Sequence, residues 1–427
     1  MSYFARSDEL PAWVADLPDS WGSNWLKWSV RLSTTRPTEE EQAQLPYISN
    51  EDIASWTGKL LNDGPKPAES DGRKFQIDDV LLNKLRPYLA KVYHADFDGV
   101  GSGELLCLRP SDAVLPRFLF YVLASNGFID SIDAETFGSK MPRADWEIVG
   151  HQPLPLPSLE TQRRIAQFLD EKTARIDGLI EKKRALLERL AEKRQALITR
   201  AVTKGLNLDA PMNPSGIDWL GDIPAHWACK RLRFTMKTNP SKREITLSDD
   251  QLVSFVPMEA VGEYGGLKLD TEKELGEVNN GYTYFADNDV VVAKITPCFE
   301  NGKSALAKGL KNGVAFGTTE LHVLRGNKDL LSEYLFYVAT SHPFAKIGES
   351  EMYGSGGQKR VPESFLKDFR IGLPSVDEQC EIIEYVGSVN RRSDLQAKKT
   401  FESIERLEEY RAALITAAVT GQIGGLQ

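Results

Sequence analysis

Long hydrophobic runs are missing from this sequence, and we expect no secretory leader. The apolar stretch from Asp289 to Ile295 is far shorter than the roughly 20 residues that a membrane-spanning helix needs. The N-terminus, MSYFARSDELPAW, has no apolar core of a signal peptide. The chain has 427 residues, of which 41% are hydrophobic and 26% charged. We therefore expect a cytoplasmic globular protein with two or three domains.

Clustered cysteine and histidine are also missing. The four cysteines form no C-x-x-C pair, which argues against a disulfide framework and a thiolate zinc site. The five histidines include no two that lie four residues apart, as a helical metal site would require. We expect free thiols and no bound metal.

Catalytic signatures are absent as well. The string NGKSA (Asn301 to Ala305) cannot complete a phosphate-binding loop, because Pro297 stands where the first glycine is required. Gly99 to Gly103 (GVGSG) is too weak for a dinucleotide-binding motif, and the N-P-P-[FYW] and D-P-P-Y strings of amino-methyltransferases do not occur. The run Leu269 to Leu275 (LDTEKEL) is typical of a solvated surface. We expect no catalytic residues and no cofactor bound by this chain.

Positive charge is concentrated locally. The net charge of -9 argues against a protein that coats nucleic acid by charge alone. Residues 229–243, however, carry six basic residues and no acid, and residues 73–94 carry five Lys or Arg against two Asp. Both segments are candidate phosphate-facing strips, and a solvated strand edge is the alternative reading.

The sequence contains an internal repeat with an offset of 217 residues. Leu156 to Thr203 matches Leu373 to Thr420 at 20 of 48 positions without a gap. Weaker matches lie upstream, between DVLLNKLRP and DVVVAKITP, GELLCLR and TELHVLR, FLFYVLAS and YLFYVATS, and LPDSW and IPAHW. Matched blocks should perform one task twice, whereas the diverged blocks should perform related but different tasks.

The repeat divides the chain into two globular units, each followed by a helical one. We expect globular recognition domains at 1–157 and 206–374 and helical regions at 158–205 and 375–427. The globular units mix β-rich runs with helical stretches, so the predicted fold class is α/β (α+β).

The two helical regions are predicted to pair as an antiparallel coiled coil. Glu160 to Thr203 contains no proline and one glycine, and its apolar residues recur at helical spacing. About 44 residues make a rod of roughly 65 Å, which usually needs a partner helix. The first rod has an excess of basic residues and the second of acidic ones, which favours pairing. The residues predicted to pack between them are Ile176, Leu179, Leu186, Leu190, Leu197, Ile404, Leu407 and Leu414. The alternative is a solvated helical hairpin that only spaces domains.

Two loops combine residues suited to DNA contact. Tyr353 to Pro362 (YGSGGQKRVP) and its counterpart Phe137 to Trp146 contain Gly, Ser, Lys and Arg, and the former also Gln. Gln can read adenine, Arg and Lys can read guanine, and glycine permits close approach of the backbone. An ordinary surface turn is the alternative. The residues predicted to bind DNA are Lys84, Arg86, Lys140, Arg143, Lys230, Arg231, Arg233, Lys294, Lys303, Gln358, Lys359 and Arg360.

The duplicated block Leu154 to Leu206, with its ALIT-x-AVT endings and the GDIPAHW entry, resembles the helical regions of type I restriction-modification specificity subunits. The resemblance covers the whole chain, although Ser393, Gln396 and Ala397 replace three apolar residues of the first copy. It implies that each globular unit is a target recognition domain for one half of a split, asymmetric DNA site. It also implies docking of two methyltransferase subunits, which hold S-adenosylmethionine and methylate adenine, and of restriction subunits that use ATP and Mg.

Two alternative functions remain open from the sequence. One is a type II-like system in which the chain serves a single methylase-nuclease polypeptide, and the other is a structural adaptor that does not bind DNA.

By the resemblance, the paired helices set the distance between the half-sites. Inserting four residues near Leu190 lengthens the helix by about 6 Å and is predicted to widen the spacer by about 2 base pairs. Methylome sequencing measures that spacer, and an active variant with an unchanged spacer would contradict the prediction.

Overall fold

A computed structural model describes residues 10–61, 72–136, 141–355 and 357–426. The chain forms two compact units. Unit 1 comprises Met1–Arg184 and Phe401–Gln427, and unit 2 comprises Ala185–Thr400.

Unit 1 contains nine of the strands found in the described residues. They are β1 (Gly22–Trp25), β2 (Val30–Leu32), β3 (Tyr47–Ile48), β4 (Gly72–Phe75), β5 (Val80–Asn83), β6 (Val92–His94), β7 (Gly99–Ser102), β8 (Leu105–Pro110) and β9 (Pro153–Leu156). The helices are α1 (Leu26–Ser29), α2 (Glu39–Gln44), α3 (Pro116–Leu123), α4 (Asn126–Ala134), α5 (Trp146–Gly150) and the first part of α6 (Leu159–Lys204). The sheets have the orders β2-β8-β5-β6, β3-β7-β4 and β1-β9.

Unit 2 is built in the same way. Its strands are β10 (Met212–Pro214), β11 (Asp222–Pro224), β12 (Ala228–Arg231), β13 (Met236–Thr238), β14 (Leu252–Val256), β15 (Glu272–Glu274), β16 (Thr283–Ala286), β17 (Val290–Ala293), β18 (Ser304–Leu306), β19 (Val314–Gly317), β20 (Leu321–Gly326) and β21 (Arg370–Leu373). The helices are α7 (Leu275–Val278), α8 (Ser332–Ala339), α9 (His342–Ser350), α10 (Glu363–Asp368) and the first part of α11 (Val376–Val419).

The sheets of the two units correspond strand by strand. The order β13-β20-β17-β18 repeats β2-β8-β5-β6, and β14-β19-β16 repeats β3-β7-β4 with β15 added at the edge. The register repeats too, because Val80 lies opposite Leu108 just as Val290 lies opposite Leu324. The mixed helix and sheet fold and the internal repeat are therefore confirmed.

Apolar cores form where these sheets meet the helices. In unit 1, β5 and β8 pack with α3 and α4 around Phe118 and Phe128, and Ile165 of α6 and Ile415 of α11 complete the same core. In unit 2 the corresponding core contains Tyr334 of α8. Burial of large side chains of this kind contributes about 1.5–3 kcal/mol each.

The long helices run antiparallel within each unit. In unit 1, Arg411 of α11 donates to Asp177 of α6 at 2.8 Å, and Arg184 pairs with Glu408 at 3.0 Å, so the numbering rises along one helix and falls along the other. In unit 2, Arg194 donates to Asp394 at 2.8 Å. Asp177 and Asp394 are 217 residues apart, as are Arg194 and Arg411, so one ion pair occurs twice.

The residues predicted to pack between the helices differ in burial. Ile176 and Ile404 are buried, whereas Leu179 and Leu186 are 42% and 45% exposed. The remaining four, Leu190, Leu197, Leu407 and Leu414, are of intermediate exposure. The apolar face of each helix is thus wider than the surface that the helix buries.

A buried glutamine fixes the start of α6. The side-chain amide of Gln162 donates to the carbonyls of Ala113 at 2.9 Å and Pro157 at 3.0 Å, and its oxygen accepts from the N–H of Leu115 at 2.8 Å. Gln162 is 1% exposed. The bonds to Ala113 and Leu115 join the helix to the segment that precedes α3, and the bond to Pro157 caps the residues directly before α6.

Gln379 does the same at the start of α11. It donates to the carbonyls of Asp329 at 2.8 Å and Pro374 at 3.1 Å and accepts from the N–H of Leu331 at 2.9 Å. This repeated bonding gives the matched glutamines of the sequence a structural explanation.

Replacing Gln162 or Gln379 by alanine is expected to lower the free energy of unfolding by about 2–3 kcal/mol, because each change removes three hydrogen bonds made by a buried side chain. Urea unfolding followed by circular dichroism measures the change. The exposed residues Gln167 and Gln396 provide matched controls that should change by less than about 0.5 kcal/mol. Equal effects at buried and exposed positions would contradict this explanation.

Candidate nucleic-acid interface

A lysine at the end of β17 is fixed between two strand-like segments in unit 2. The N–H of Lys294 donates to the carbonyl of Glu320 at 2.9 Å, and its carbonyl accepts from Val361 at 2.8 Å. Two residues later, Thr296 donates to the carbonyl of Lys359 at 3.0 Å. The loop predicted to read DNA is thus attached to the end of a buried strand.

Unit 1 repeats these bonds at the end of β5. The N–H of Lys84 donates to the carbonyl of Glu104 at 3.0 Å, and its carbonyl accepts from Ala144 at 2.8 Å. Arg86 donates to the carbonyl of Pro142 at 2.7 Å. We call Lys84, Glu104 and Arg143 in unit 1, and Lys294, Glu320 and Arg360 in unit 2, the basic frames.

The glutamate of each frame holds an arginine. Arg360 donates from two nitrogens to the two carboxylate oxygens of Glu320, both at 2.9 Å, and Arg143 donates to both oxygens of Glu104 at 2.6 Å. The hydrogen bond from Arg360 lowers the pKa of Glu320 below its ordinary value. Any stability gained from this pair is therefore present at neutral pH and lost as the pH falls through that lowered pKa.

Each frame carries a surplus positive charge. With two cations and one carboxylate, a frame has a formal charge of +1. Among the described residues, no ion pair involves the ammonium groups of Lys84 or Lys294, and both side chains are partly exposed. Gln358 and Lys359 beside Arg360 are exposed. These are the groups that a phosphate or a base edge could reach.

A buried Asp–Arg ion pair, which we call a brace, stabilises the strand that leads to each frame. Asp289 accepts two bonds from Arg325, both at 2.6 Å, and Asp79 accepts two from Arg109 at 2.7 and 2.8 Å. Both carboxylates are almost fully buried. The bonds to Asp79 and Asp289 raise the pKa values of Arg109 and Arg325. These two arginines therefore stabilise the fold.

The basic strip 229–243 occupies β12 and the residues that follow it. Lys230 is exposed, while Arg231 and Arg233 both pair with Asp368 at the end of α10. This carboxylate offsets part of the charge that the sequence suggested.

The other predicted DNA contacts lie in varied environments. Lys303 donates to the carbonyl of Met258 at 3.1 Å. Arg86 has a backbone φ of 52° and is partly buried. Lys140 lies outside the described residues.

Sequence reasoning missed the glutamates of the frames and the buried Asp–Arg braces. The signal was present, because Glu104 and Glu320 stand at the same position of GELLCLR and TELHVLR, as Arg109 and Arg325 do. An acidic residue recurring beside predicted DNA contacts could have been recognised as a holder of arginine.

Membrane-spanning helices and metal-binding clusters are absent from the residues that the structure describes. None of the helices found there combines the length and apolarity of a membrane span. No group of His, Cys, Asp and Glu suited to a metal ion occurs in that part of the chain either.

The family model described as the type I restriction modification DNA specificity domain matches residues 33–189 and 241–406. The specificity subunit of the type I restriction enzyme EcoEI of Escherichia coli is 38% identical over 203 residues, which are 47% of this chain and 34% of that protein. That of EcoAI from Escherichia coli is 44% identical over 165 residues, 38% of this chain and 28% of that protein. This chain thus matches only about a third of the length of these two relatives.

Other similar proteins align over nearly the whole chain. The specificity subunit of StySPI of Salmonella potsdam is 22% identical over 437 residues, covering 95% of this chain and 90% of that protein.

Two solved structures share the fold. One, from work on complex assembly and conformational transition of the type I R-M system, has a TM-score of 0.73 at 18% identity and covers 96% of this chain and 100% of that chain. The HsdS subunit from Thermoanaerobacter tengcongensis has a TM-score of 0.52 at 18% identity and covers 96% and 98%.

The resemblance predicted from the sequence is confirmed, and with it the expectation that the chain is a non-catalytic subunit. This chain belongs to the type I restriction-modification DNA specificity domain family.

Proposed function

We propose that this chain reads a split DNA site, with unit 1 contacting one half and unit 2 the other, and directs a methyltransferase to it. Recognition of DNA targets follows from the family. The finer steps, a bipartite and asymmetric target and the recruitment of partner subunits, are the proposal.

The observation that carries the proposal is the repetition of one basic frame beneath two different loops. The backbone bonds of Lys84 and Lys294 are the same, and both frames hold an arginine through a glutamate. The adjoining loop residues differ, because Met141 and Pro142 stand where unit 2 has Gln358 and Lys359. Two similar frames are suited to contact with the phosphate backbone, whose chemistry is the same at every base pair. Two different loops are suited to contact with two different base sequences.

The partners follow from the proposed role. Methyl transfer would be performed by two methyltransferase subunits that hold S-adenosylmethionine, and restriction subunits using ATP and Mg could join the complex. A protein that recruits these enzymes to DNA would work in the cytoplasm. The helices α6 and α11 would set the number of base pairs between the half-sites.

Selection from random duplexes tests the proposal. The chain and the methyltransferase encoded with it are incubated with random duplex DNA at moderate salt, and the bound fraction is sequenced. Enrichment of two short sequences at a fixed spacing is expected. A structural adaptor would enrich no sequence, and that outcome would overturn the proposal. The neighbouring genes distinguish a type II-like single methylase-nuclease partner.

A further inference from the structure

A buried histidine lies next to the recognition loop of unit 2. His322 is on β20 and is 6% exposed, and its ring nitrogen Nε2 lies 2.9 Å from the carbonyl of Val361. Because a carbonyl can only accept, Nε2 of the neutral ring carries the proton, and Nδ1 is left as an acceptor. Nδ1 is buried and has no hydrogen-bond partner among the residues that the structure describes. The hydrogen bond of the imidazole thus goes to the loop.

The residue that receives this bond is held from both sides. The N–H of Val361 donates to the carbonyl of Lys294 at 2.8 Å, while its own carbonyl accepts from His322. The preceding residue, Arg360, exchanges two backbone hydrogen bonds with Tyr353, at 2.9 and 3.2 Å, and these close the loop. The imidazole therefore fixes the base from which the exposed loop residues project.

His322 and Glu320 hold the loop from the same side of the sheet. Residues two apart along an extended segment point to the same face. Glu320, two residues before His322, binds the side chain of Arg360, and His322 binds the backbone of the residue after it. The side chain and the backbone of the loop are thus held together, which gives the loop one defined direction.

Unit 1 has a leucine at the corresponding position. Leu106 occupies in β8 the place of His322 in β20, and it too is 6% exposed. Its side chain cannot donate to Ala144, the residue of the first loop that corresponds to Val361. The strand pairing therefore forms without an imidazole, and the bond from the histidine is a property of unit 2.

An imidazole is an unfavourable choice for a position that needs only burial. A buried nitrogen without a partner lowers the stability of the fold, and a leucine avoids that loss. Unit 1 shows that a leucine fits the same place in the sheet. The orientation of the loop is what the histidine of unit 2 provides in return.

We propose that His322 is a positioning residue for target recognition, which fixes the carbonyl of Val361 and with it the direction in which the polar side chains of the loop meet DNA. These side chains are those of Gln358, Lys359 and Arg360. Because His322 is buried, it acts through the loop and makes no contact with a base. This inference rests on the proposed function, because it takes the assignment of one half-site to unit 2 from there.

The surroundings of the ring keep it neutral at neutral pH. Lys294 after β17, Glu320 before β20 and Glu363 at the start of α10 face the imidazole. Burial lowers the pKa of His322 below its ordinary value, and the ammonium of Lys294 lowers it further. The bond to Val361 and the two carboxylates raise this pKa without cancelling the effect of burial.

A fall in pH is therefore expected to release the loop. Below the ordinary pKa of histidine, about 6.5, an exposed ring takes up a proton before a buried ring of lowered pKa does. An arrangement of the loop that exposes the imidazole then gains stability relative to the bonded one. Glu320 and Glu363 stay ionised in this range, because hydrogen bonds from Arg360 and Lys367 lower their pKa values.

Selection from random duplexes with the methyltransferase present tests the inference at neutral pH. The variant His322→Leu, which places the residue of unit 1 in unit 2, is expected to relax preference in the half-site read by unit 2 and to leave the other half unchanged. His322→Gln keeps an amide donor at a similar reach and should retain the preference in both halves. Urea unfolding followed by circular dichroism checks that both variants fold.

The pH profile provides a readout that a merely structural role would not move. Fluorescence anisotropy measures the affinity for the selected duplex and for one whose unit 2 half is scrambled. For the original chain, the ratio of the two affinities is expected to fall by about 2- to 12-fold between about pH 7.5 and about pH 5.5, as for the loss of one hydrogen bond. His322→Gln should keep the ratio unchanged over this range. His342→Gln, the same change at an exposed histidine of unit 2, should follow the original chain.

The outcomes separate this inference from the proposed function. If His322→Leu relaxes neither half or both halves equally, or if His322→Gln shows the same pH profile as the original chain, only this inference is overturned. If His322→Leu does not fold, the comparison of the original chain with His322→Gln across the pH range decides. If the original chain enriches no sequence at neutral pH, the proposed function fails and this inference fails with it.

Discussion

Replacing Asp289 by alanine is expected to lower the free energy of unfolding by about 2–4 kcal/mol. Its carboxylate is buried, accepts two bonds from Arg325, and also accepts the N–H of Ala286 at 2.8 Å. The change removes two bonds from the guanidinium of Arg325, which keeps its ion pair with Glu244. The side chain of Arg325 remains 25% exposed, so the loss should fall somewhat below the value for a fully buried pair.

Urea unfolding measures this loss, and the chain provides two comparisons. Asp79→Ala removes the same brace from unit 1 and should cost a similar amount, since Arg109 is bonded in the same way. Asp270 is exposed, and Asp270→Ala should change stability by less than about 0.5 kcal/mol. If all three variants were equally stable, the buried pairs would not brace the fold.

Replacing Arg360 by alanine is expected to weaken binding of the selected DNA site by about 5- to 150-fold, the range that follows from about 1–3 kcal/mol per contact. The frame of unit 2 would lose its surplus charge, and the carboxylate of Glu320 would face the phosphates without its partner. Fluorescence anisotropy with a labelled duplex measures the change.

The Arg360–Glu320 ion pair also anchors the loop that carries Gln358 and Lys359, so the effect of Arg360→Ala on specificity should be confined to one half-site. Selection from random duplexes should show relaxed preference in the half read by unit 2 and unchanged preference in the other half. Arg143→Ala should produce the converse pattern. Arg392, an exposed residue of α11, gives a control of the same residue type whose replacement should leave affinity within about twofold. Equal relaxation of both halves by Arg360→Ala would contradict the assignment of one half to each unit.

The repeat made much of this structure predictable. Two copies that match over 48 residues without a gap have the same spacing of apolar residues. A helix predicted for one copy is therefore predicted for the other, and both long helices could be predicted from the sequence. The repeat also indicated which polar residues have a structural role. The matched residues Gln162 and Gln379 are buried and make the same hydrogen bonds.

Long-range contacts could not be predicted in the same way. The strand order β2-β8-β5-β6 joins segments distant in sequence, and alternation along each strand does not identify its neighbour. The pairing of Arg360 with Glu320 likewise depends on a loop returning to a strand 40 residues away.

Two exposed leucines of α6 show what the spacing of apolar residues cannot predict. Leu179 and Leu186 belong to the apolar residues that recur at helical spacing, but both remain exposed. Helical spacing includes every apolar residue of that face and does not identify the ones that contact the partner helix.

Methylome sequencing of cells that carry this chain together with its methyltransferase tests the central claim most directly. Two dissimilar short motifs separated by a fixed number of unspecified base pairs are expected at every methylated site. A single uninterrupted motif, or two identical halves, would contradict the claim that the two units read different parts of one target.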